Sequence, residues 1–180
     1  MLSRAASDPS PKVRREALAG LSHFLKPEHR EVVRKSTKDA NAGVRAIAVD
    51  VMGLYADNTA TADLIEIVKK EPEEKVRQAA LRGLVRCDDP KAIVALLDRA
   101  EHGASRETKL IAMKGLLRKF GVRISRDRDP KDGPGWRDLI QRWKQSWRVR
   151  DAYAAAGAKL VMRPQDILGK DWHPERRGMR

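Results

Sequence analysis

The chain has 180 residues, 41% of them hydrophobic but only 4% aromatic, so any core it builds is made of Leu, Val, Ile and Ala, which suits closely packed helices. Its single cysteine, Cys87, excludes an intrachain disulfide and a multi-cysteine metal site. The formal net charge of +13 attracts polyanions without specifying one. No segment between Met1 and Val13 reads as a signal peptide and no stretch approaches the length of a membrane helix, which leads to the expectation of a cytoplasmic protein.

In chain order, four segments align without gaps: 12–21, 43–52, 75–84 and 107–116, reading KVRREALAGL, GVRAIAVDVM, KVRQAALRGL and ETKLIAMKGL. Their anchor positions are Val13, Val44, Val76 and Thr108, spaced by 31, 32 and 32 residues. Ala17, Ala48, Ala80 and Ala112 follow four positions after each anchor, then Leu18, Val49, Leu81 and Met113, and eight after it Leu21, Met52, Leu84 and Leu116. Offsets of 0, 4, 5 and 8 lie on one helical face. The recurring alanine lets a neighbouring helix approach closely. Asp8-Pro9, Asp39-Ala40 and Glu71-Pro72 precede the first three helices, where acidic groups and proline suit a helix N-terminus.

Between these segments run second amphipathic stretches, about Glu28 to Thr37, Ala60 to Lys70 and Pro90 to Ala100, with Val33, Leu64 and Leu96 in matching places. Each unit is therefore helix, turn, helix, and one unit buries its apolar stripe only by stacking on another. The expected fold is all-α. Its expected domains are a repeat array over 1–121 (units about 8–38, 39–70, 71–102 and 103–121), a loop over 122–135, a capping helix over 136–162 and a basic tail over 163–180.

The sequence from Asp8-Pro9 to Val13-Arg14-Arg15-Glu16-Ala17-Leu18, with its copies at Asp39 to Val44-Arg45 and Glu71-Pro72 to Val76-Arg77, resembles HEAT repeats, in particular the short bacterial PBS-lyase HEAT-like type. The resemblance covers about residues 5–121 and implies a right-handed α-solenoid, or α-α superhelix, of about four helix pairs. It also implies a ladder between repeats from the acid and the arginine six positions later: Asp8, Asp39 and Glu71 with Arg14, Arg45 and Arg77. The fourth copy departs, with Gly103 for the acid and Lys109 for the arginine, so the ladder is expected to weaken there. Enzymes of this resemblance include DNA glycosylases and bilin lyases, but neither set of catalytic residues maps onto this chain.

In the C-terminal third, Trp136, Ile140, Trp143 and Trp147 fall at offsets 0, 4, 7 and 11, one stripe of a helix. The stripe reads either as a cap on the last repeat or as a partner groove or base-stacking platform. The tail carries Trp172, His173, Arg176 and Arg177, and residues 125–180 hold +6 of the net charge over less than half the length. Asp127, Asp129 and Asp132 lack the ligand spacing of a calcium loop.

No phosphate-loop or metal-ligand motif occurs, so the sequence offers no catalytic residue, metal site or cofactor. The expected function is a non-catalytic scaffold that binds another protein, with a nucleic-acid-binding module as the alternative. Candidate partner-binding residues are Arg30, Arg34, Lys35 and Lys38 on the first of the second helices, together with Trp136, Trp143, Trp147, Trp172, Arg176 and Arg177. The later second helices mix Asp63, Glu66, Asp98 and Glu101 with Lys69, Lys70, Lys91 and Arg99, so a uniformly basic groove is not expected. The outer side of the first repeat, around Val13 and Leu18, is left to be covered by a further segment, another subunit or the partner.

Overall fold

The computed structural model describes residues 2–119, 134–145 and 147–157, and those residues are helical with connecting turns. They divide into two compact units, Met1–Ala92 and Ile93–Arg180, so the boundary falls inside a helix of the third expected pair.

The first unit holds α1 (Leu2–Ala5), α2 (Pro11–Leu21), a 3-10 turn (Pro27–His29), α3 (Arg30–Ser36), α4 (Ala42–Tyr55), α5 (Asn58–Lys70) and α6 (Glu74–Arg86). Helix α2 packs on α4 and α4 on α6, which makes one layer of first helices. Helices α3 and α5 form the second, α3 lying against α4, and α5 against both α4 and α6. The repeat positions explain this packing. Ala17, Ala48 and Ala80, Leu18, Val49 and Leu81, and Leu21, Met52 and Leu84 are all buried, as are Val33 and Leu64 from the second layer. Within the first layer α4 and α6 meet closely at Gly53 and Gly83, where a Cβ built on Gly53 would lie 2.5 Å from the Gly83 Cα. The anchor position breaks the symmetry: Val44 and Val76 are 0% and 1% exposed, whereas Val13 is 39% exposed.

Local chemistry sets the helix ends. The Asn41 side chain accepts from the Val44 N–H at 3.2 Å to cap α4, and Asp57 accepts from the Ala60 N–H at 2.9 Å to cap α5. Helix α4 stops at Ala56, whose φ of 53° is left-handed. The acids expected to sit at the helix starts act one step earlier. Asp8 accepts from the Ser10 N–H at 2.8 Å, Asp39 from Asn41 at 2.8 Å and Glu71 from Glu73 at 3.2 Å. Each lies two residues before the residue that caps the helix, so it fixes the turn and leaves the first helical N–H groups to others.

Helix α7 (Pro90–His102) crosses the unit boundary, and the second unit continues with α8 (Arg106–Lys119), α9 (Pro134–Gln145) and α10 (Trp147–Ala155). Ser105 caps α8, its hydroxyl accepting from the Thr108 N–H at 3.1 Å. Helices α9 and α10 pack on each other, with Ile140, Trp143, Val149 and Ala152 buried. Of the helix expected over 136–162, the described residues form two helices, Pro134–Gln145 and Trp147–Ala155, and residues 158–162 lie outside the described residues. The stop has a local cause: Gly157 turns to a φ of 63°, a conformation glycine adopts without steric penalty. Most of the expected loop over 122–135 and the tail over 163–180 lie outside the described residues.

Candidate functional site

Two rows of charged side chains cross the repeats of the first unit, one on each layer. In the first layer, the Arg14 guanidinium donates through Nε and Nη2 to both Asp39 carboxylate oxygens at 2.7 and 2.8 Å. Its Nη1 donates to the Asp8 and Pro9 carbonyls, both at 2.9 Å. Arg45 repeats the arrangement, with Glu71 at 3.1 and 2.8 Å and the Asp39 and Ala40 carbonyls at 2.9 and 3.2 Å. Arg77 donates to the Glu71 carbonyl at 2.6 Å and also to that of Pro72.

Each arginine therefore closes the turn of its own repeat and, for Arg14 and Arg45, reaches the acid of the next. The planar fork of arginine matches a carboxylate while leaving one nitrogen for the carbonyls, which lysine cannot do. The pairs are mostly covered, with 16% and 11% of the Arg14 and Asp39 side chains exposed. The Arg14 guanidinium holds the Asp39 carboxyl below its ordinary range, and Glu71 raises the Arg45 guanidinium further above its own. These arginines are occupied by the fold.

The second layer carries a row that the sequence reading missed. Arg30 forms an ion pair with Asp57 and lies over the Tyr55 ring, its Cζ 4.4 Å from the centroid. Tyr55 in turn donates its hydroxyl to the Lys26 carbonyl at 3.1 Å. Arg34 pairs with Asp63 at 3.0 Å, and Lys70 with Glu66 at 2.9 Å. The Asp57 carboxyl is held below its ordinary range by the Ala60 N–H and by Arg30, and Glu66 is lowered by Lys70, with Lys38 and Arg34 adding to it. Lys35 pairs only with Glu31 of its own helix, at 3.7 Å, and Lys38 is exposed. Arg30 and Arg34 thus face acids of the α5 repeat and are partly neutralised by them, whereas Lys35 is paired within α3 and Lys38 follows it. What they present is a charge pattern of alternating sign built on packed helices, its bases exposed and Asp57 and Asp63 half-buried.

One further pair, Arg82 with Asp50 at 3.0 Å, links α6 to α4. These two residues occupy the same position of successive repeats, 32 residues apart, a signal available in the alignment. The Arg30–Asp57 and Arg34–Asp63 separations of 27 and 29 residues fall near the repeat length as well.

The tryptophan stripe is only partly on view. Trp143 is 2% exposed and Ile140 also buried, so Trp143 is corrected from a candidate partner contact to a core residue of the second unit. The reason is that its helix face turns inward with Val149 and Ala152 of the same helix pair. The side chains of Trp136 and Trp147, and all of Trp172, Arg176 and Arg177, lie outside the described residues. Sequence reasoning also missed Lys144, which is buried and pairs with Glu101 of α7 at 2.6 Å. Cys87 is buried. Among the described residues, no three His, Cys, Asp or Glu side chains group as metal ligands, and no helix is long and apolar enough to cross a membrane.

Compared with protein families, the sequence matches the model for HEAT repeats over residues 1–85 and again over 37–116. No curated protein matches it.

Proposed function

The chain belongs to the HEAT repeat family, and from that premise we propose that it is a non-catalytic scaffold that binds another protein through the face made by α3 and α5. HEAT repeats typically serve as protein-interaction scaffolds, because stacked helix pairs expose a long, rigid surface. The observation that carries the reading is the row Arg30–Asp57, Arg34–Asp63 and Lys70–Glu66. Its bases and Glu66 are exposed and Asp57 and Asp63 half-buried, and the charges alternate in sign and are fixed in place by their partners. Such a surface complements the mixed charges of a protein. A nucleic-acid backbone, with charge of one sign, gains little from bases already paired with Asp57 and Asp63.

The helix pair α9–α10 belongs to the same proposal as a cap for the second unit. Its buried Ile140 and Trp143, and the Lys144–Glu101 pair to α7, support that role. A protein that stacks bases needs its aromatic faces open, and Trp143 is not.

The reading is tested with labelled single- and double-stranded oligonucleotides at about 50 and 200 mM salt, where several phosphate contacts change affinity on the order of a thousandfold. The expected result is weak binding even at the lower salt. Tight binding with a steep loss at the higher salt would replace the scaffold by a nucleic-acid module using the basic C-terminal part.

A further inference from the structure

The three first-layer arginines share one build. In each, Nη1 donates to two carbonyls of its own turn: Arg14 to Asp8 and Pro9, Arg45 to Asp39 and Ala40, and Arg77 to Glu71 and Pro72. That grip fixes the guanidinium and leaves its other edge, Nε and Nη2, as two parallel donors. In Arg14 the edge holds both carboxylate oxygens of Asp39, and in Arg45 both of Glu71. Arg77 is held by the same nitrogen in the same way, but among the described residues no group accepts from its Nε or Nη2. The fold occupies this arginine at one edge only.

The sequence supplies no acid in the register that fills the other two. One repeat after Glu71 stands Gly103. A Cβ there would lie 2.5 Å from the Arg99 carbonyl oxygen and 3.0 Å from the Thr108 methyl carbon, so that turn is closed to a side chain. The interruption lies inside the chain and is built into it. Arg77 is half-buried, so its charge is screened less than that of a fully exposed arginine. Two parallel donors in a fixed plane match the two oxygens of a carboxylate. A phosphate has further oxygens to satisfy, and Nη1 is already taken by the carbonyls.

We propose that the Nε and Nη2 edge of Arg77 binds a carboxylate from outside the chain, in the two-pronged geometry that Arg14 and Arg45 show with Asp39 and Glu71. The ligand is an acidic side chain of another molecule or a small organic acid. The site is separate from the α3–α5 face, and either can fail without the other.

The arginine Nε–H signals of the full chain are followed by NMR as sodium acetate is added, with sodium chloride as the control. The Arg77 signal is expected to shift saturably, half-complete at roughly tens of millimolar, and at least about fivefold more than those of Arg14 and Arg45, whose edges are filled. Glu71→Ala frees the Arg45 edge and is expected to make its signal respond as that of Arg77 does. In Arg77→Lys, which keeps the charge but not the fork, the acetate shifts of the backbone amides over residues 71–77 are expected to disappear. A capped peptide copying residues 69–74, which carries the acid that Arg45 takes, separates the two sources. Tighter binding than acetate assigns an acidic polypeptide, and equal or weaker binding a small acid. An Arg77 signal that moves no more than that of Arg14, or that moves equally with chloride, overturns the proposal. So does inorganic phosphate binding at least about tenfold more tightly than acetate, since the edge would then belong to a phosphate site.

Discussion

A single methyl group added at Gly53 tests whether α4 and α6 pack as closely as described. The Cβ of Gly53→Ala would lie 2.5 Å from the Gly83 Cα, against an ordinary carbon–carbon contact of about 3.5–4.0 Å, so α4 and α6 must separate by about 1 Å. The obstacle is backbone, which no rotamer change can move. Helix propensity works the other way, favouring alanine by about 1 kcal/mol, while overpacking a well-filled contact costs about 1–3 kcal/mol or more. The helix shift also loosens the buried contacts of Val49, Met52 and Leu84, which places the cost at the upper end of that range, so the net expectation after the propensity gain is a loss of about 2 kcal/mol. In a urea melt followed by circular dichroism the midpoint falls. Gly20→Ala is the internal control. Its Cβ meets only the flexible end of Leu2, at 3.1 and 3.2 Å, so it is expected to be neutral or stabilising by up to about 1 kcal/mol. A Gly53→Ala protein as stable as the parent, or a Gly20→Ala protein that loses as much, would refute the packing argument.

The remaining expectations concern charge. Asp39 and Asp57 are held below the unfolded carboxylate value of about 3.9, so their contribution to stability is complete above that pH and is lost as pH falls through their lower folded values. Urea midpoints between pH 5 and pH 2.5 are expected to drop, and Asp39→Asn to flatten part of that drop. Arg45→Met removes a fork to Glu71 and two carbonyl contacts, and a loss of about 1–2 kcal/mol is expected in the same assay, whereas Arg34→Met, at an exposed pair, is expected to change stability by less than about 0.5 kcal/mol. Lys144→Met takes the lysine from Glu101 in a covered setting and is expected to cost about 1–3 kcal/mol, most of it recovered in the double variant with Glu101→Leu, by thermal melting.

The helix pairs were legible because burial repeats with the chain. Alanine at one offset and an aliphatic residue at the next recur through all four units, and every one of those positions is buried. The first-layer arginines were legible through their resemblance to known repeats, but that each arginine closes its own turn while reaching the next acid is a matter of three-dimensional reach. The second-layer row was missed for a different reason. Arg30 and Arg34 read as a basic cluster on one helix, and their acids stand on the next helix at separations of 27 and 29 residues, shorter than the repeat because α3 begins later in its unit than α5. Trp143 was misread because the stripe has one periodicity whether it faces a partner or a neighbouring helix. The exposure of Val13 follows from position in the stack, since the same residue type is buried one repeat later.

The central claim, that the α3–α5 face binds a protein, is tested most directly by swapping one of its ion pairs. Arg34→Asp combined with Asp63→Arg keeps the pair and the fold but reverses the displayed pattern. Nuclease-treated extract of the source cells is passed over the full chain and over the swapped chain, and the retained partner is purified and titrated against both. The account predicts a stoichiometric complex with the parent chain and at least a tenfold weaker one with the swapped chain, at unchanged melting temperature. Equal affinity for the two chains would contradict it.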